Sequence, residues 1–550
     1  MTRANAVAAP SATIDESMPS SLAQAFVNSI RRYADREAVK PLNGPPITYA
    51  EMGARVRSAV TAFRHMGLAA GDRIAICLPN GSDWPVLTYA AALLGLCVVP
   101  INLRYREDEL LLALDGSEAR VLFTIASFLS NPILQRLRNL AGGEFARAPH
   151  RPIGPLPMLE AIVLMQPGEM PGTVDYADMA AAAPHDDCLL DSLAGERRGS
   201  DPMWLFWTSG TTSKPKAALL PQSAIEIVWQ WTTLVDYRPE DRVLTSRPFF
   251  YIAGHFWSML GPFLKGACSV IASHFTPEEF VHLCSTERIS ILSGNPMMFK
   301  RLVQSSDFDP DAFTHVRLGY FSGSALPLEE MRRIHDAIGF ESLIQTYGMT
   351  ELGGFIMSTS PQASVEEACA SCGRPFTDID LQIVSPETGE PVPDGNVGML
   401  VTKRQKLIDY VNLSPIEREK LFDEKGWYRT GDLMRRLPDG RYQMVGRVKD
   451  LIKVGGENVT SAEIEAALMR HPSISLAAVV ARMDEDRGEV PIAYVELTRP
   501  GEVRMEDIKI WSKTHMAPFK VPVAFHEMSA ADWPMTSSGK IAKHLLATIE

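Results

Sequence analysis

Four scarcities in this 550-residue sequence each remove a class of protein. Cysteine comes first. There are seven, an odd number, scattered at 77, 97, 188, 268, 284, 369 and 372. That spacing builds no disulfide framework and fits a reducing compartment. Cys369-Ala-Ser-Cys372 is a C-x-x-C, but no second pair or nearby histidine completes a zinc site, and no βαβ context supports a redox pair. Positive charge is the second: a net charge of −12 and a pI near 5.6 argue against a general nucleic-acid binder. Long apolar runs are the third. The longest uncharged stretch, Trp84 to Leu103, has the length of a membrane span but carries Pro85, Thr88, Gly95, Pro100 and Asn102. It reads as a buried helix over 85–95 followed by a strand over 96–101, so no membrane span is expected. Residues 1–20 are Ala, Ser and Pro with scattered charges and no apolar core, the pattern of a disordered lead-in rather than a secretory signal. Cytoplasmic location is the expectation. Last, the Walker A order G-x-x-x-x-G-K-[ST] is absent.

What is present is an ordinary globular balance, 46% hydrophobic and 22% charged, long enough for three or four domain-sized units. Short apolar runs at Arg73–Leu78, 96–101 and Val121–Thr124 alternate with helical patterns. They predict βαβ units and an α/β fold with parallel sheet. Residues 21–66 read as helical with a strand-like break at Pro46–Tyr49, and 146–185, rich in Pro, Gly and Ala, as surface connection. Strands are expected again at 242–246, 268–272 and 289–293, and helices at 223–234, 278–287 and 328–338. Between Gly373 and Tyr442 short strands alternate with turns such as Pro393-Asp-Gly395, which predicts a β-rich subdomain. A different module follows. Thr460 and Glu463 form a capping-box pattern that starts a helix. The domain boundary is placed at 447–448, giving a large N-terminal domain over 21–447 and a small mobile α+β C-terminal domain over 448–550.

The chain is organised around Trp204-Leu-Phe-Trp-Thr-Ser-Gly-Thr-Thr-Ser-Lys-Pro-Lys216. An apolar strand, Met203 to Trp207, breaks into Thr208, Ser209, Gly210, Thr211, Thr212 and Ser213, then Lys214 and Lys216. Hydroxyls and backbone N–H groups surround phosphate oxygens, a glycine lets backbone approach closely, and a lysine adds charge. A Ser/Thr/Gly cluster alone is usually a polar surface loop; the two lysines straight after a buried strand favour a polyphosphate site. Four further stretches share the chain with it: Phe321-Ser-Gly-Ser-Ala-Leu-Pro327, Gln345-Thr-Tyr-Gly-Met-Thr-Glu351, Gly426-Trp-Tyr-Arg-Thr-Gly-Asp-Leu433 and Pro534-Met-Thr-Ser-Ser-Gly-Lys-Ile-Ala-Lys543.

Together, in this order, these motifs resemble those of the adenylate-forming superfamily: acyl-CoA synthetases, peptide-synthetase adenylation domains and luciferases. The resemblance runs from about residue 25 nearly to the end and is closest to a stand-alone carboxylic acid–CoA ligase. It implies stacked αβ sheets, a β-rich subdomain and a mobile C-terminal domain. It implies ATP, Mg²⁺ and coenzyme A as cofactors and a small carboxylic acid as substrate. Tyr347 would stack on adenine, Gly348 leave room for the reacting carboxylate, Thr350 bond the α-phosphate and Glu351 hold the metal. Gly323, Ser324 and Ala325 would line the adenine pocket, and Asp432 and Arg447 the ribose. Lys449 occupies the hinge position, and Gly455 and Gly456 resemble the loop lining the pantetheine tunnel. Lys540 would be the catalytic lysine of adenylation.

Departures are few. Ser213 and Ala217 replace two glycines of the phosphate loop, and Gln222 replaces a histidine. The aromatic gate reads Pro248-Phe-Phe-Tyr251, so Tyr251 keeps a ring but loses a titratable imidazole. By the same resemblance the acyl pocket draws on Tyr251 to Trp257, Asn295 to Met298, Phe321 to Ser324 and Tyr347 to Gly354. Tyr251, Phe256, Met297 and Gly348 are its expected lining. These segments are aromatic and apolar and hold no arginine, which favours a hydrophobic monocarboxylic acid. Transfer of the acyl group to a carrier-protein thiol or to an amine is the alternative. Luciferase-type oxygenation is supported by no residue. A catalytically dead nucleotide-binding protein is the alternative of another class; it would have lost Lys216, Glu351, Asp432 or Lys540, and none is lost. No carrier or condensation module is appended, and a homodimer is left open.

Overall fold

The structure, a computed structural model, describes residues 18–141, 155–166, 172–181, 189–208, 215–272, 274–322, 326–403, 406–454, 457–484, 486–535 and 541–547. The expectations for residues 1–17, Ser209, Gly210, Thr211, Thr212, Gly323, Ser324, Ala325, Gly455, Gly456 and Lys540 lie outside them.

Among the described residues two large sheets carry the chain. One has nine strands, and its centre runs parallel through Leu318–Phe321, Ile291–Gly294, Arg242–Thr245 and Cys268–Ile271. The other has eight, with Cys97–Pro100, Arg73–Cys77, Val121–Thr124 and Ala161–Leu164 parallel at its centre. Their strands are apolar on both faces because helices cover both. Val243 and Ile291 join the core shared by the two sheets. Their neighbours Leu244 and Leu292 join a second core under the helices Pro277–Glu287, Pro296–Val303 and Leu328–Ile338. Successive strand residues point to opposite faces, so each strand serves two cores.

The uncharged stretch behaves as its sequence predicts. Asp83–Leu94 is a helix buried from Trp84 to Leu94, and Cys97–Pro100 is a buried strand. A helix apolar all round belongs inside a core or a bilayer, and Phe26, Tyr89 and Phe263 stack here in a core. No helix among the described residues is long and apolar enough to cross a membrane.

Three strands depart from these regional readings. Glu37–Lys40 interrupts the region read as helix, and Ala161–Leu164 and Val174–Asp175 lie in the region read as connection. None exceeds four residues, too short for alternation to show. The capping box at Thr460 is half formed. Its hydroxyl accepts from Glu463 N at 3.2 Å, but the Glu463 carboxylate turns to Lys520.

From Asp380 the texture changes to an antiparallel four-stranded sheet of Asp380–Val384, Val397–Lys403, Tyr428–Arg436 and Tyr442–Arg447. The single 3-10 turn Val448–Asp450 leads from its last strand into a separate sheet built on the long pair Ile474–Asp484 and Gly488–Leu497. That sheet packs on the helices Ser461–Leu468 and Met505–His515.

Candidate active site

The strands on either side of the phosphate-loop sequence pair with each other. Pro202–Thr208 pairs antiparallel with Lys216–Pro221, and Thr208 stands opposite Lys216. Trp204, Leu205 and Phe206 are buried and fix the first strand, which is what their run of apolar side chains dictates. The far end is held by Asn412. Its Oδ1 accepts from Ala217 N and its Nδ2 donates to Pro215 O, both at 2.9 Å.

Glu351 faces the same hairpin. It sits in the 3-10 turn Thr350–Leu352 that follows the strand Ser342–Met349. Its carboxylate is buried, and Oε1 accepts from Tyr410 OH at 2.9 Å and lies 3.4 Å from Thr208 Oγ1. Burial pushes its pKa up, against the pull of its backbone hydrogen bond, Tyr410, Thr208 and the charge of Lys216. Lys216 is itself buried, and desolvation lowers its pKa while Glu351 raises it. Its ammonium stands 6.0 Å from the Tyr410 ring centroid. Among the described residues no group of three or more Asp, Glu, His or Cys converges. One buried carboxylate with hydroxyls beside it suits magnesium, which takes one or two protein carboxylates and fills its shell with phosphate oxygens and water. Glu351 would hold that ion.

Asp432 is set by strand register. It lies directly across from Arg447, and Arg447 Nε stands 3.1 Å from its Oδ1. Tyr347 OH donates to the other oxygen, Oδ2, at 2.7 Å. Each carboxylate oxygen has two lone pairs, so both retain capacity for a further donor. The bond to Asp432 also fixes the Tyr347 ring, whose hydroxyl pKa is raised by burial first and by Asp432 second. Glu351, Lys216 and Thr208 thus come together, and so do Tyr347, Asp432 and Arg447. Tyr410 OH, which donates to Glu351, lies 3.1 Å from Tyr428 OH between the two groups, and Thr350 adjoins Glu351 in the 3-10 turn. Lys449 is placed elsewhere, exposed on the connecting turn.

Four residues were expected in the acyl pocket. Gly348 sits at a bulge, and a Cβ there would meet Gly354 O at 1.8 Å, so strand approach alone demands glycine. Tyr251 OH accepts from Asn102 Nδ2 at 3.2 Å. Met297 is half-buried on Pro296–Val303. Phe256 is fully buried against Trp204 and Phe206, turned toward the interior of the hairpin strand. Nearby His255 is structural. Phe249 O accepts at Nδ1, Trp204 Nε1 donates to Nε2, and burial brings its pKa down to about 3, so the ring stays neutral.

Sequence reasoning missed Tyr410, Asn412 and Arg247. The first two lie on or beside the two-residue strand Asp409–Tyr410, which leaves no periodic trace. Arg247 lies four residues before Tyr251, outside the segments searched, yet its Nη1 donates to Ser322 Oγ at 3.1 Å, inside one of them.

One α/β scaffold thus carries a buried carboxylate beside a lysine and a carboxylate–arginine pair set by strand register. The chain belongs to the AMP-binding enzyme family: that family's sequence model matches residues 26–409, and the model of the AMP-binding enzyme C-terminal domain matches 463–540. It is 28% identical over 529 residues to a putative acyl-CoA synthetase, YngI, of Bacillus subtilis (strain 168), covering 94% of each chain. It is 29% identical over 536 residues to the mitochondrial medium-chain acyl-CoA ligase ACSF2 of Danio rerio, covering 96% of this chain and 88% of that one. Its fold matches the crystal structure of the anthranilate CoA ligase AuaEII in complex with anthranoyl-AMP, with a TM-score of 0.82 and 22% identity over 96% of this chain and 97% of that one.

Proposed function

We propose that this enzyme joins a carboxylic acid with a hydrophobic body to coenzyme A through an acyl-adenylate. The observation that supports the reading is a buried Glu351 beside Thr208 and Lys216, on a chain whose Tyr347, four residues before it, donates to the Arg447-paired Asp432. The likeness to acyl-CoA ligases over almost the whole chain supports it.

In the first half-reaction the acid's carboxylate attacks the α-phosphate of ATP and pyrophosphate leaves. Thr208 and Lys216 bind phosphate oxygens. Tyr347 and Asp432 position the nucleoside, with Arg447 keeping the Asp432 carboxylate in place. Glu351 would hold magnesium, whose charge would offset that of the phosphates. Thr350 bonds the α-phosphate, and Lys540 stabilises the charge that develops beside it. In the second half-reaction the C-terminal module turns about Lys449, Lys540 withdraws, and the thiolate of coenzyme A attacks the acyl carbonyl with AMP as leaving group. The family resemblance assigns Gly455 and Gly456 to the pantetheine path. Two activated steps replace one difficult substitution.

The test is pyrophosphate release across a panel of acids, with and without coenzyme A, and chromatography for the thioester. Acid-dependent release with thioester formation is expected. Release without thioester moves the acceptor to a carrier-protein thiol or an amine, and no release with any acid defeats adenylation. A reducing cytoplasm is the location that the scattered cysteines support, and cell fractionation checks it.

A further inference from the structure

Arg247 is a half-buried cation with no counter-ion among the described residues. It follows the strand Arg242–Thr245, and its guanidinium reaches across the C-terminal ends of two further parallel strands. Nη2 donates to Gly294 O, at the end of Ile291–Gly294, and Nη1 donates to Ser322 Oγ at 3.1 Å, just past Leu318–Phe321. The Tyr320 ring centroid lies 5.9 Å from its Cζ. Among the described residues its buried Nε has no hydrogen-bond partner, as is also true of Arg242. Asn80 fixes the backbone on either side, donating to Arg247 O at 3.0 Å and accepting from Phe249 N at 2.8 Å. The arginine is therefore placed, not adrift.

Its neighbours show what is unusual. Arg317 pairs with Asp241, Arg242 with Glu37 and Glu287, and Arg120 with Asp72 and Glu160. Among the described residues no Asp or Glu pairs with Arg247, and Tyr320 is the one titratable group whose charge bears on it. An unpaired charge taken out of water is costly, and an apolar residue would fill the same space without that cost. A guanidinium held at the carboxyl ends of parallel strands is where an open α/β sheet offers a crevice to ligands. Phe321, beside the arginine's serine partner, receives a hydrogen bond on its carbonyl from Thr346, the residue before Tyr347. The cation thus borders the site already described.

We infer that Arg247 is a specificity-determining residue that binds a second oxygen acceptor on the acyl group, a carboxylate or a carbonyl remote from the carboxyl that is activated. The planar fork suits such an oxygen with one or two N–H groups. The substrate class narrows from hydrophobic acids to acids whose apolar body ends in, or carries, a polar oxygen. This rests on the acid-activating reading above.

The experiment uses the full-length enzyme and acid-dependent pyrophosphate release. Straight-chain dicarboxylic acids, their monomethyl esters and monocarboxylic acids of equal length form the panel, with aromatic acids bearing or lacking a second carboxylate beside them. Wild type is expected to favour acids with the second oxygen by about 10- to 100-fold in kcat/KM, the range of a charge-assisted hydrogen bond. The ionised and ester arms tell a carboxylate from a carbonyl. Arg247→Met should lose that preference through KM for the acid, with KM for ATP unchanged. Arg247→Lys should keep part of it. A wild-type preference for the plain chains at every length overturns the inference without any variant. Equal loss on all acids in Arg247→Met, with Arg247→Lys no better, makes the residue structural and also overturns it. Failure of the acid-activating reading looks different: no acid on the panel releases pyrophosphate.

Discussion

Glu351 is a carboxylate placed where ionisation is unfavourable. Its hydrogen bonds and Lys216 offset only part of the burial, and its pKa stays raised. The sign follows for the ligand-free enzyme. Below the unfolded carboxyl range, near pH 4, the group is protonated in both states and costs nothing. As pH rises past that range the unfolded chain ionises first, so the folded state loses stability until pH passes the raised folded pKa. Glu351→Gln removes this penalty. The variant should melt higher than wild type at pH 8 and by a smaller margin at pH 5, with turnover lowered on the order of 10²-fold. Thermal unfolding at the two pH values and magnesium-dependent pyrophosphate release check both halves. A variant that melts lower at pH 8 would show that the carboxylate stabilises the fold. His255 makes the contrast: it is buried as deeply, but with both nitrogens satisfied and neutral, and so serves packing.

At the scale of elements, the hairpin and its clamp decide where the phosphate loop begins and ends. The Asn412 side chain ties Pro215 and Ala217, on either side of the buried Lys216, to a strand nearly 200 residues away. Asn412→Ala should therefore loosen the loop's exit, at about 1 kcal/mol and roughly a fivefold rise in KM for ATP. KM for the acid should stay level, and titration of each substrate at saturating levels of the other reads the split. An equal rise in both would mean that the whole hairpin shifts. This element also shows how far the sequence could be read. Five hydroxyl residues and two lysines after an apolar strand pointed to a phosphate loop, most of which lies outside the described residues, and Asp432 and Arg447 stood out in motifs. Nothing local announced that those two face each other across a strand pair, or that Asn412 reaches the hairpin, because such partners are set by register and long-range packing. The acyl pocket was least legible. Its arginine lies outside the motif segments and reaches Ser322 only through the parallel order of three strands. Gly348, read as room for a carboxylate, is already required by the Gly354 carbonyl.

At the scale of the whole molecule, one short turn separates the sheet bearing Asp432 and Arg447 from the C-terminal sheet, and Lys449 is its exposed middle residue. The two parts also touch. Lys300, on the pocket helix Pro296–Val303, donates to Ser475 O at 3.3 Å, and Thr460 Oγ1 donates to Val445 O at 3.1 Å. Val448 and Leu451 also pack on the four-stranded sheet, and a small contact of this kind fits a module that swings, since inter-domain motion is the default unless an interface is large and apolar. If Lys449 is the pivot, it must adopt two backbone conformations through its two soft dihedrals. Proline fixes φ near −65° and removes one of them. Lys449→Pro should then keep acid-dependent ATP–pyrophosphate exchange near wild type and abolish thioester formation. Normal rates in both assays would remove the pivot from residue 449.

Lys540 tests the same motion from its far end. It belongs to the C-terminal module, yet the charge it would stabilise develops beside Thr350 and Glu351 on the large domain. On the proposed mechanism it would assist only while the module is turned inward, and it would leave before a thiol approaches. Lys540→Ala should slow acyl-adenylate formation by about 10²- to 10³-fold, the usual loss on removing one electrostatic stabiliser. Supplied with preformed acyl-adenylate, the same variant should make thioester at close to the wild-type rate, because that step uses the other orientation. Single-turnover assays of the two half-reactions measure this directly. Equal loss in both would mean that the substitution disturbs the C-terminal fold or that the lysine serves neither step alone. Combined with Lys449→Pro, the pair separates chemistry from motion: one variant loses the first half-reaction and keeps the second, and the other does the reverse.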